Sequence, residues 1–194
     1  MNNENIIDLT LILNDSAKSG YAILQNLLDW SRSQTGLLKV NPERIDLKDL
    51  INDNILNLQL PAANKDIGLY SSAEGDLIIN ADKNMINTVL RNLLSNAVKF
   101  TRRGGTVVVN AKIENDNIII SVKDTGIGIS EEITKKLFRL DSKNSMPGTE
   151  NEQGTGLGLK LSKEFVEKLG GKIWVESIEN KGSEFKFPIP LHKG

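Results

Sequence analysis

The sequence has no cysteine, which excludes a disulfide framework and a thiolate metal site. It also has little net charge, because 24 basic and 25 acidic residues leave a formal charge of −1. Such a balance argues against a broad nucleic-acid-binding surface. No apolar run reaches the length of a transmembrane helix, and no signal-peptide pattern opens the chain. The absence of cysteine is also compatible with a reducing compartment.

What remains is an ordinary globular composition: 194 residues, 39% hydrophobic and 25% charged. This length suits one domain with an appendage. Leucines recur at threes and fours through residues 6–34 and predict one long helix, which Gly36 would end. The helix could pack on its own domain or form half of a dimerising helical hairpin. Its apolar residues cover more than one stripe, which favours the hairpin.

The rest of the chain predicts short strands alternating with helices. Asp46 can cap a helix that Pro61 would end, and Asp82 can cap a second helix that runs to Phe100. Residues 41–45 are expected to be a connector, and the polar stretch 141–153 a mobile loop. Further strands are expected at residues 67–70, 77–80, 106–113, 117–123, 172–177 and 183–189, and further helices from Ser130 and over 155–169. These elements predict an α+β fold: one mixed sheet with helices on a single face.

A polar stripe lies on the predicted helix that ends at Phe100. Asn92, Asn96 and Lys99 stand at positions i, i+4 and i+7, so they share one face of that helix. Amide oxygens are suitable neutral ligands for Mg²⁺, and a lysine can meet phosphate as a point charge. The alternative interpretation is an ordinary solvated helix face.

Two glycine-containing segments follow. In the first, Asp124 and Gly126-Ile127-Gly128 come after a predicted strand, where the carboxylate can accept from an exocyclic amine and glycine lets a flat ring approach closely. In the second, Gly154 to Gly158 lead into a helix, where free N–H groups can bind phosphate. Each segment alone is also compatible with a simple turn, and the second matches neither the dinucleotide pattern nor the phosphate-loop motif.

In combination and in this order, the three motifs resemble the N box and the two glycine boxes of sensor histidine kinases, in the GHKL group with the Bergerat ATP-binding fold. The resemblance extends from about residue 37 to 190. It implies an ATP-binding catalytic domain over 37–194, preceded at 1–36 by the second helix of a dimerisation and phosphoacceptor hairpin. The implied activity is transfer of the γ-phosphate of ATP to a histidine.

The resemblance also implies roles for individual residues. Asn96 is the expected principal Mg²⁺ ligand with Asn92 assisting, Lys99 contacts phosphate, and Asp124 recognises adenine beside Phe100. Arg139 resembles a lid-hinge arginine that reaches the terminal phosphate. The remaining implied contacts to nucleotide come from the glycine boxes, at Gly126, Gly128, Gly154, Thr155, Gly156, Leu157 and Gly158.

The sequence departs from the family pattern at two places. Thr134 and Leu137 stand where an aromatic box would begin, and only Phe138 remains aromatic. The acceptor histidine has no counterpart, since the only histidine is His192, which we expect to be a surface residue. We therefore expect a part of a longer kinase, with this domain in the cytoplasm and a parent protein that could be membrane-anchored.

The implied partners are ATP, the acceptor hairpin of the parent kinase and the receiver domain of a response regulator, with homodimerisation through the N-terminal helix. A GHKL-type ATPase is an alternative. Asn92 disfavours it, because related ATPases carry a glutamate there to activate water and an amide is not a general base. A catalytically inactive nucleotide-binding or dimerisation module and an anti-sigma-type Ser/Thr kinase are further alternatives.

Overall fold

The computed structural model describes residues 20, 24, 28, 39–138, 146–150, 152 and 156–191. The chain divides into two units, Met1–Lys39 and Val40–Gly194. The predicted helix over residues 6–34 therefore lies almost wholly outside the described residues, apart from helical positions at Gly20, Leu24 and Leu28. Among the described residues, no helix has the length and apolar character needed to cross a bilayer.

The second unit is built from seven strands and four helices within its described part. The strands are β1 (Glu43–Asp46), β2 (Gly68–Ser71), β3 (Ile78–Ala81), β4 (Thr106–Glu114), β5 (Asn117–Asp124), β6 (Trp174–Ile178) and β7 (Gly182–Pro190). The helices are α1 (Leu47–Asn64), α2 (Lys83–Phe100), α3 (Glu131–Thr134) and α4 (Gly158–Lys168).

Five strands form one mixed sheet in the order β2-β4-β5-β7-β6. Strands β2 and β4 are parallel, and the other neighbours are antiparallel. Alternate residues on the three central strands are buried, because that face packs against α2 and α4. The buried row consists of Val107, Val109, Ala111, Ile118, Ile120, Val122, Phe185, Phe187 and Ile189. The predicted α+β class, with a mixed sheet and helices packed on it, is confirmed.

The expectation of a single sheet is wrong, because β1 pairs with β3 in a separate two-stranded antiparallel sheet. The sequence predicted a connector at residues 41–45. Only Ile45 of the four β1 residues is buried, so the strand carries almost no apolar pattern. Its conformation is imposed by pairing with β3, in a register that sets Arg44 opposite Asn80, 36 residues later in the sequence.

The predicted helix ends are also corrected at two positions. Pro61 lies inside α1, which continues to Asn64, because a proline in the last turn forfeits only one intrahelical bond. The last long helix was predicted from residue 155 but begins at Gly158, since Gly156 has a φ of +69° and cannot be helical. The hairpin β4–β5 and helix α2 have the predicted positions.

Candidate functional site

Helix α2 is the element on which the predicted site is arranged. It begins after Asp82, whose Oδ1 accepts from the N–H of Met85 at 3.0 Å, and it buries an apolar face that includes Leu90, Leu93 and Leu94. The three predicted residues of the polar stripe, Asn92, Asn96 and Lys99, are each partly exposed on the other side of this helix. The helix therefore keeps both amides and the ammonium accessible while its packing fixes their backbone.

Asn92 joins α2 to the start of α4. Its Nδ2 donates to the carbonyl oxygen of Gly158 at 3.1 Å and to Oγ of Ser162 at 3.4 Å. Ser162 Oγ in turn donates to the Gly158 carbonyl at 2.8 Å. A Cβ at residue 158 would lie 3.3 Å from Cγ of Asn92, so glycine allows this close approach. The first motif and the second glycine segment are therefore in contact.

The end of α2 contacts the first glycine segment. The N–H of Ile127 donates to the carbonyl of Phe100 at 3.1 Å. A Cβ at residue 126 would lie 2.3 Å from that same oxygen, a distance that real structures do not contain. Gly126 is therefore required by the packing of its turn on α2, and the two motifs form one continuous surface.

The first glycine segment also contacts the turn between β6 and β7. The N–H of Asn180 donates to the carbonyl of Ile127 at 2.6 Å. Gly128 has a φ of +66°, and a Cβ there would lie 2.1 Å from the carbonyl oxygen of Ile178. A bulkier or more constrained residue would therefore separate the two turns.

Asp124, at the end of β5, is 6% exposed. Its Oδ1 accepts from the N–H of Gly126 at 2.8 Å and from the N–H of Ser183 at 3.2 Å. Within the described part of the chain both bonds fall on Oδ1, so Oδ2 remains available to a ligand. Burial raises the pKa of Asp124, and the two backbone hydrogen bonds partly oppose that rise. Ser183 was not predicted as a partner, since its role depends on a strand pairing 59 residues away.

Lys99 and Phe100 lie together at the end of α2. The ammonium of Lys99 is 4.8 Å from the ring centroid of Phe100 and donates to the carbonyl of Met146 at 3.2 Å. Burial lowers the pKa of Lys99, while the negative charge of Glu152 acts in the opposite direction. The predicted phosphate-binding cation is therefore accompanied by an acidic residue of the polar loop.

Lys65 is a residue of this region that the sequence did not single out. It follows α1 and is 5% exposed, and its Nζ reaches both the C-terminal end of α2 and the polar loop. It makes a 2.9 Å ion pair with Oε1 of Glu152. No local pattern could have indicated this role, because these partners lie 33–87 residues further along the chain.

The second glycine segment is described from Gly156 onwards. Gly156 is exposed with a φ of +69°, Leu157 precedes the first turn of α4, and Gly158 is the first helical residue. The predicted residues Gly154, Thr155 and Arg139 lie outside the described residues, as does His192.

The predicted Mg²⁺ site consists of the side-chain amides of Asn92 and Asn96, whose oxygens are suitable ligands for this ion. Asn96 stands one helical turn after Asn92 on α2, so both amides are on the same side. Among the described residues there is no group of three His, Cys, Asp or Glu side chains that could hold a metal ion. A magnesium ion held by Asn96 with Asn92 would keep several waters and phosphate oxygens as its other ligands.

A cavity of about 180 Å³ lies elsewhere, on the face of the sheet that does not pack against α2 and α4. Its lining includes Asn110, Ser121, Trp174 and Lys186. None of the predicted residues lines it, so it is separate from the candidate site.

Comparison with known proteins relates this arrangement to a family. Residues 81–193 match the family profile described as "Histidine kinase-, DNA gyrase B-, and HSP90-like ATPase". The sensor protein GacS of Pseudomonas syringae pv. syringae is 36% identical over 185 residues, which are 92% of this chain and 20% of GacS. The chain thus spans about a fifth of the length of such relatives.

Solved structures agree with the fold. The catalytic domain of histidine kinase ThkA has 28% identity and a TM-score of 0.68, covering 77% of this chain and 97% of that domain. Full-length ShkA in complex with AMPPNP has 24% identity and a TM-score of 0.79, covering 94% and 38%. ThkA in complex with the response regulator TrrA has 23% identity and a TM-score of 0.71, covering 98% and 52%.

The two complexes are 24% and 23% identical to this chain, so the likeness to them shows the fold alone. The family profile, however, matches more than half of the chain and includes all three motifs. The expected resemblance is therefore confirmed. The chain belongs to the histidine kinase-, DNA gyrase B- and HSP90-like ATPase family and carries an ATP-binding domain of the type found in sensor histidine kinases.

Proposed function

We propose that this chain is the catalytic part of a protein-histidine kinase, which binds Mg·ATP and transfers its γ-phosphate to a histidine on a dimerisation hairpin. The observation that carries the proposal is the contact of both glycine segments with one helix. Gly158 meets Asn92 in the middle of α2, and Gly126 and Ile127 meet Phe100 at its end. A nucleotide bound along α2 would therefore meet all three motifs.

The base end of the nucleotide is assigned to Asp124. Oδ1 is committed to the N–H groups of Gly126 and Ser183, which orient the carboxylate. Oδ2 would accept from the exocyclic amine of adenine. Because the carboxylate is buried, a hydrogen bond to it is stronger than one made in water. Phe100 would lie beside the base or ribose.

The phosphate end is assigned to Asn96, Asn92 and Lys99, with the described Gly156, Leu157 and Gly158 at the start of α4. Backbone N–H groups of a helix start are a favourable environment for phosphate. Magnesium, when bound, would neutralise charge on the phosphate oxygens. Lys99 would exchange its bond with the Met146 carbonyl for one with phosphate, which its partly exposed position permits. Gly154, Thr155 and Arg139 would complete this end.

The proposed reaction is an in-line displacement. A nitrogen of the acceptor imidazole forms a bond to the γ-phosphorus as the bond between that phosphorus and the bridging oxygen breaks, and ADP leaves with the electron pair. Such a transfer requires positioning and charge neutralisation more than covalent chemistry from the protein. Asn92 favours transfer over hydrolysis, because an amide whose Nδ2 donates to Gly158 cannot act as a general base for water.

The acceptor would be supplied by a hairpin of the parent kinase, of which residues 1–36 would be the second helix and the homodimer contact. A receiver domain of a response regulator would then take the phosphoryl group. The complex of ThkA with TrrA supports this class of partner. We place the domain in the cytoplasm, where ATP and receiver domains are available.

The proposal is tested by calorimetric titration of the chain with Mg·ATP, in comparison with Asp124→Asn. Loss of a hydrogen bond to a charged group costs about 1.5–3 kcal/mol, so we expect affinity to fall by about 10- to 150-fold. Asp53→Asn, which changes an exposed aspartate of α1, is the matched control and should bind normally. Unchanged affinity in Asp124→Asn would contradict the assignment of the adenine site.

The reaction itself is tested with labelled ATP and a separately supplied hairpin that carries an acceptor histidine. We expect transfer of label to the hairpin and only slow release of inorganic phosphate without it. Rapid hydrolysis by the chain alone would instead support an ATPase.

A further inference from the structure

Lys65 is a buried lysine whose ammonium group shares its three N–H donors among four oxygens at the phosphate end of the proposed site. Its Nζ donates to the carbonyls of Val98 and Lys99 at 3.0 and 3.1 Å. It also donates to Oγ1 of Thr149 at 2.7 Å and to Oε1 of Glu152 at 2.9 Å. A lysine is seldom this buried unless it is paired, so the environment is specific for an ammonium group.

The first two of these bonds hold the C-terminal end of α2. The last carbonyls of a helix lack intrahelical donors and carry partial negative charge. The ammonium of Lys65 satisfies two of them at the residues that immediately precede Phe100. It thereby stabilises the turn of α2 that carries Lys99.

The other two bonds dock the polar loop on the same helix end. Thr149 also binds there directly, since its N–H donates to the Lys99 carbonyl at 3.1 Å and its Oγ1 donates to the Thr101 carbonyl at 2.9 Å. Glu152 closes the loop on itself, because its carbonyl accepts from the N–H of Gly148 at 2.9 Å. Residues 148, 149 and 152 are thus fixed as a unit.

This unit has a direct consequence for phosphate binding. Glu152 stands four residues before Gly156, and its charge acts on Lys99. An acidic side chain beside a triphosphate would repel it unless a cation neutralised the carboxylate. Lys65 supplies that cation.

We infer that Lys65 is a positioning residue of the proposed kinase site: it docks Thr149 and Glu152 on the end of α2 and neutralises Glu152 beside Lys99. The inference rests on the proposed function, because it assigns the phosphates to this end. It predicts that Lys65 affects affinity for the triphosphate and leaves recognition of adenine unchanged.

The test replaces Lys65 by methionine, which keeps the length of the side chain and removes the charge. We expect Lys65→Met to bind Mg·ATP roughly tenfold more weakly, because the loop is no longer preorganised and Glu152 is no longer neutralised. Adenosine, titrated by NMR as a probe without phosphate, should bind as it does to the unaltered chain. The amides of Gly148 and Thr149 should exchange with solvent faster, while those in the middle of α2 should not.

Lys186→Met is the matched control. Lys186 also pairs with two glutamates, Glu176 and Glu184, at 2.9 and 3.0 Å, but it lies on the open face of the sheet. Its replacement should leave the affinity for ATP unchanged. A second change, Glu152→Gln in the Lys65→Met background, should recover part of the lost affinity, which a purely structural role of Lys65 would not produce.

Three results would overturn the inference while leaving the proposed function intact: an unchanged affinity of Lys65→Met for ATP, an equal loss for ATP and adenosine, or no recovery with Glu152→Gln. If Lys65→Met does not fold, Thr149→Val removes the hydroxyl that accepts from Lys65 and donates to the Thr101 carbonyl, and it should weaken ATP binding roughly threefold. An unchanged affinity of that variant would also overturn the inference. Failure of the unaltered chain to bind Mg·ATP would instead contradict the proposed function.

Discussion

At the scale of single residues, Asp124 combines two opposing influences. Its burial disfavours the charged form, and the N–H groups of Gly126 and Ser183 favour it. Burial is the larger influence, so the pKa of Asp124 is raised above its usual value. A buried carboxylate with a shifted pKa is typical of a functional site, which agrees with the proposed role of Asp124.

This balance predicts how the stability of Asp124→Asn depends on pH. Because the folded-state pKa of Asp124 is raised, the folded protein loses stability relative to the unfolded chain as pH rises from about 4 through that pKa. Asparagine keeps an oxygen that can accept from Gly126 and Ser183 but does not titrate. We therefore expect the free energy of unfolding of the variant, relative to the unaltered chain, to increase between pH 3 and pH 7.

Urea denaturation at a series of pH values measures this difference. Asp53→Asn serves as the control, since its aspartate is exposed. A difference that is independent of pH, or one that shrinks towards pH 7, would contradict the prediction.

The residue scale also shows what the sequence could not predict. Asn92, Asn96, Lys99 and Asp124 belong to motifs that are readable in one dimension. Lys65 belongs to no motif, because its hydrogen-bond partners come from the end of α2 and from the polar loop, which are distant in the sequence. Its role follows only from the fold.

At the scale of elements, capping residues and apolar periodicity predicted the helices, whereas they did not predict a strand that forms only by pairing with a distant segment. The helix α2 was predicted closely, because Asp82 caps it and apolar residues recur with its period. Strand β1 was missed, because its polar residues become a strand only by pairing with β3. Pro61 was predicted to end α1, but the helix continues to Asn64 because the missing N–H of a proline costs little near a helix end.

The two aspartate caps provide a prediction at this scale. Asp46 is exposed and accepts from the N–H groups of Lys48 and Asp49, so Asp46→Ala should cost about 1 kcal/mol, the usual cost of losing a cap. Asp82 is 6% exposed and accepts at one oxygen from Met85 N–H and at the other from Asn41 N–H, at 2.9 Å. Asp82→Ala leaves two donors without an acceptor and should cost about 2–4 kcal/mol.

Chemical denaturation of both variants compares the two costs directly. Equal losses would mean that the contact between Asp82 and residue 41 contributes nothing. Since α2 carries the polar stripe of Asn92, Asn96 and Lys99, Asp82→Ala should also weaken Mg·ATP binding, whereas Asp46→Ala should not.

At the scale of the whole molecule, the three motifs lie up to 66 residues apart in sequence and meet through α2. The family resemblance predicted this meeting, and the contacts of Gly158 and Gly126 with α2 explain it physically. The sequence could not supply the order of strands that brings β5 and β7 together, and that order creates the environment of Asp124.

The same scale gives a prediction about the two units. Every buried apolar residue among those described lies between Ile45 and Ile189, and so do the described contacts of the proposed site. A chain of residues 40–194 should therefore fold cooperatively and bind Mg·ATP with the affinity of the full chain. At a free ligand concentration about a hundredfold above Kd, both chains should gain about 2.7 kcal/mol of stability. Thermal unfolding with and without Mg·ATP measures this gain, which should be smaller in Asp124→Asn because that variant binds more weakly. If the shorter chain unfolds or gains no stability from Mg·ATP, residues 1–39 contribute to the nucleotide domain itself, and the proposed division of the chain is wrong.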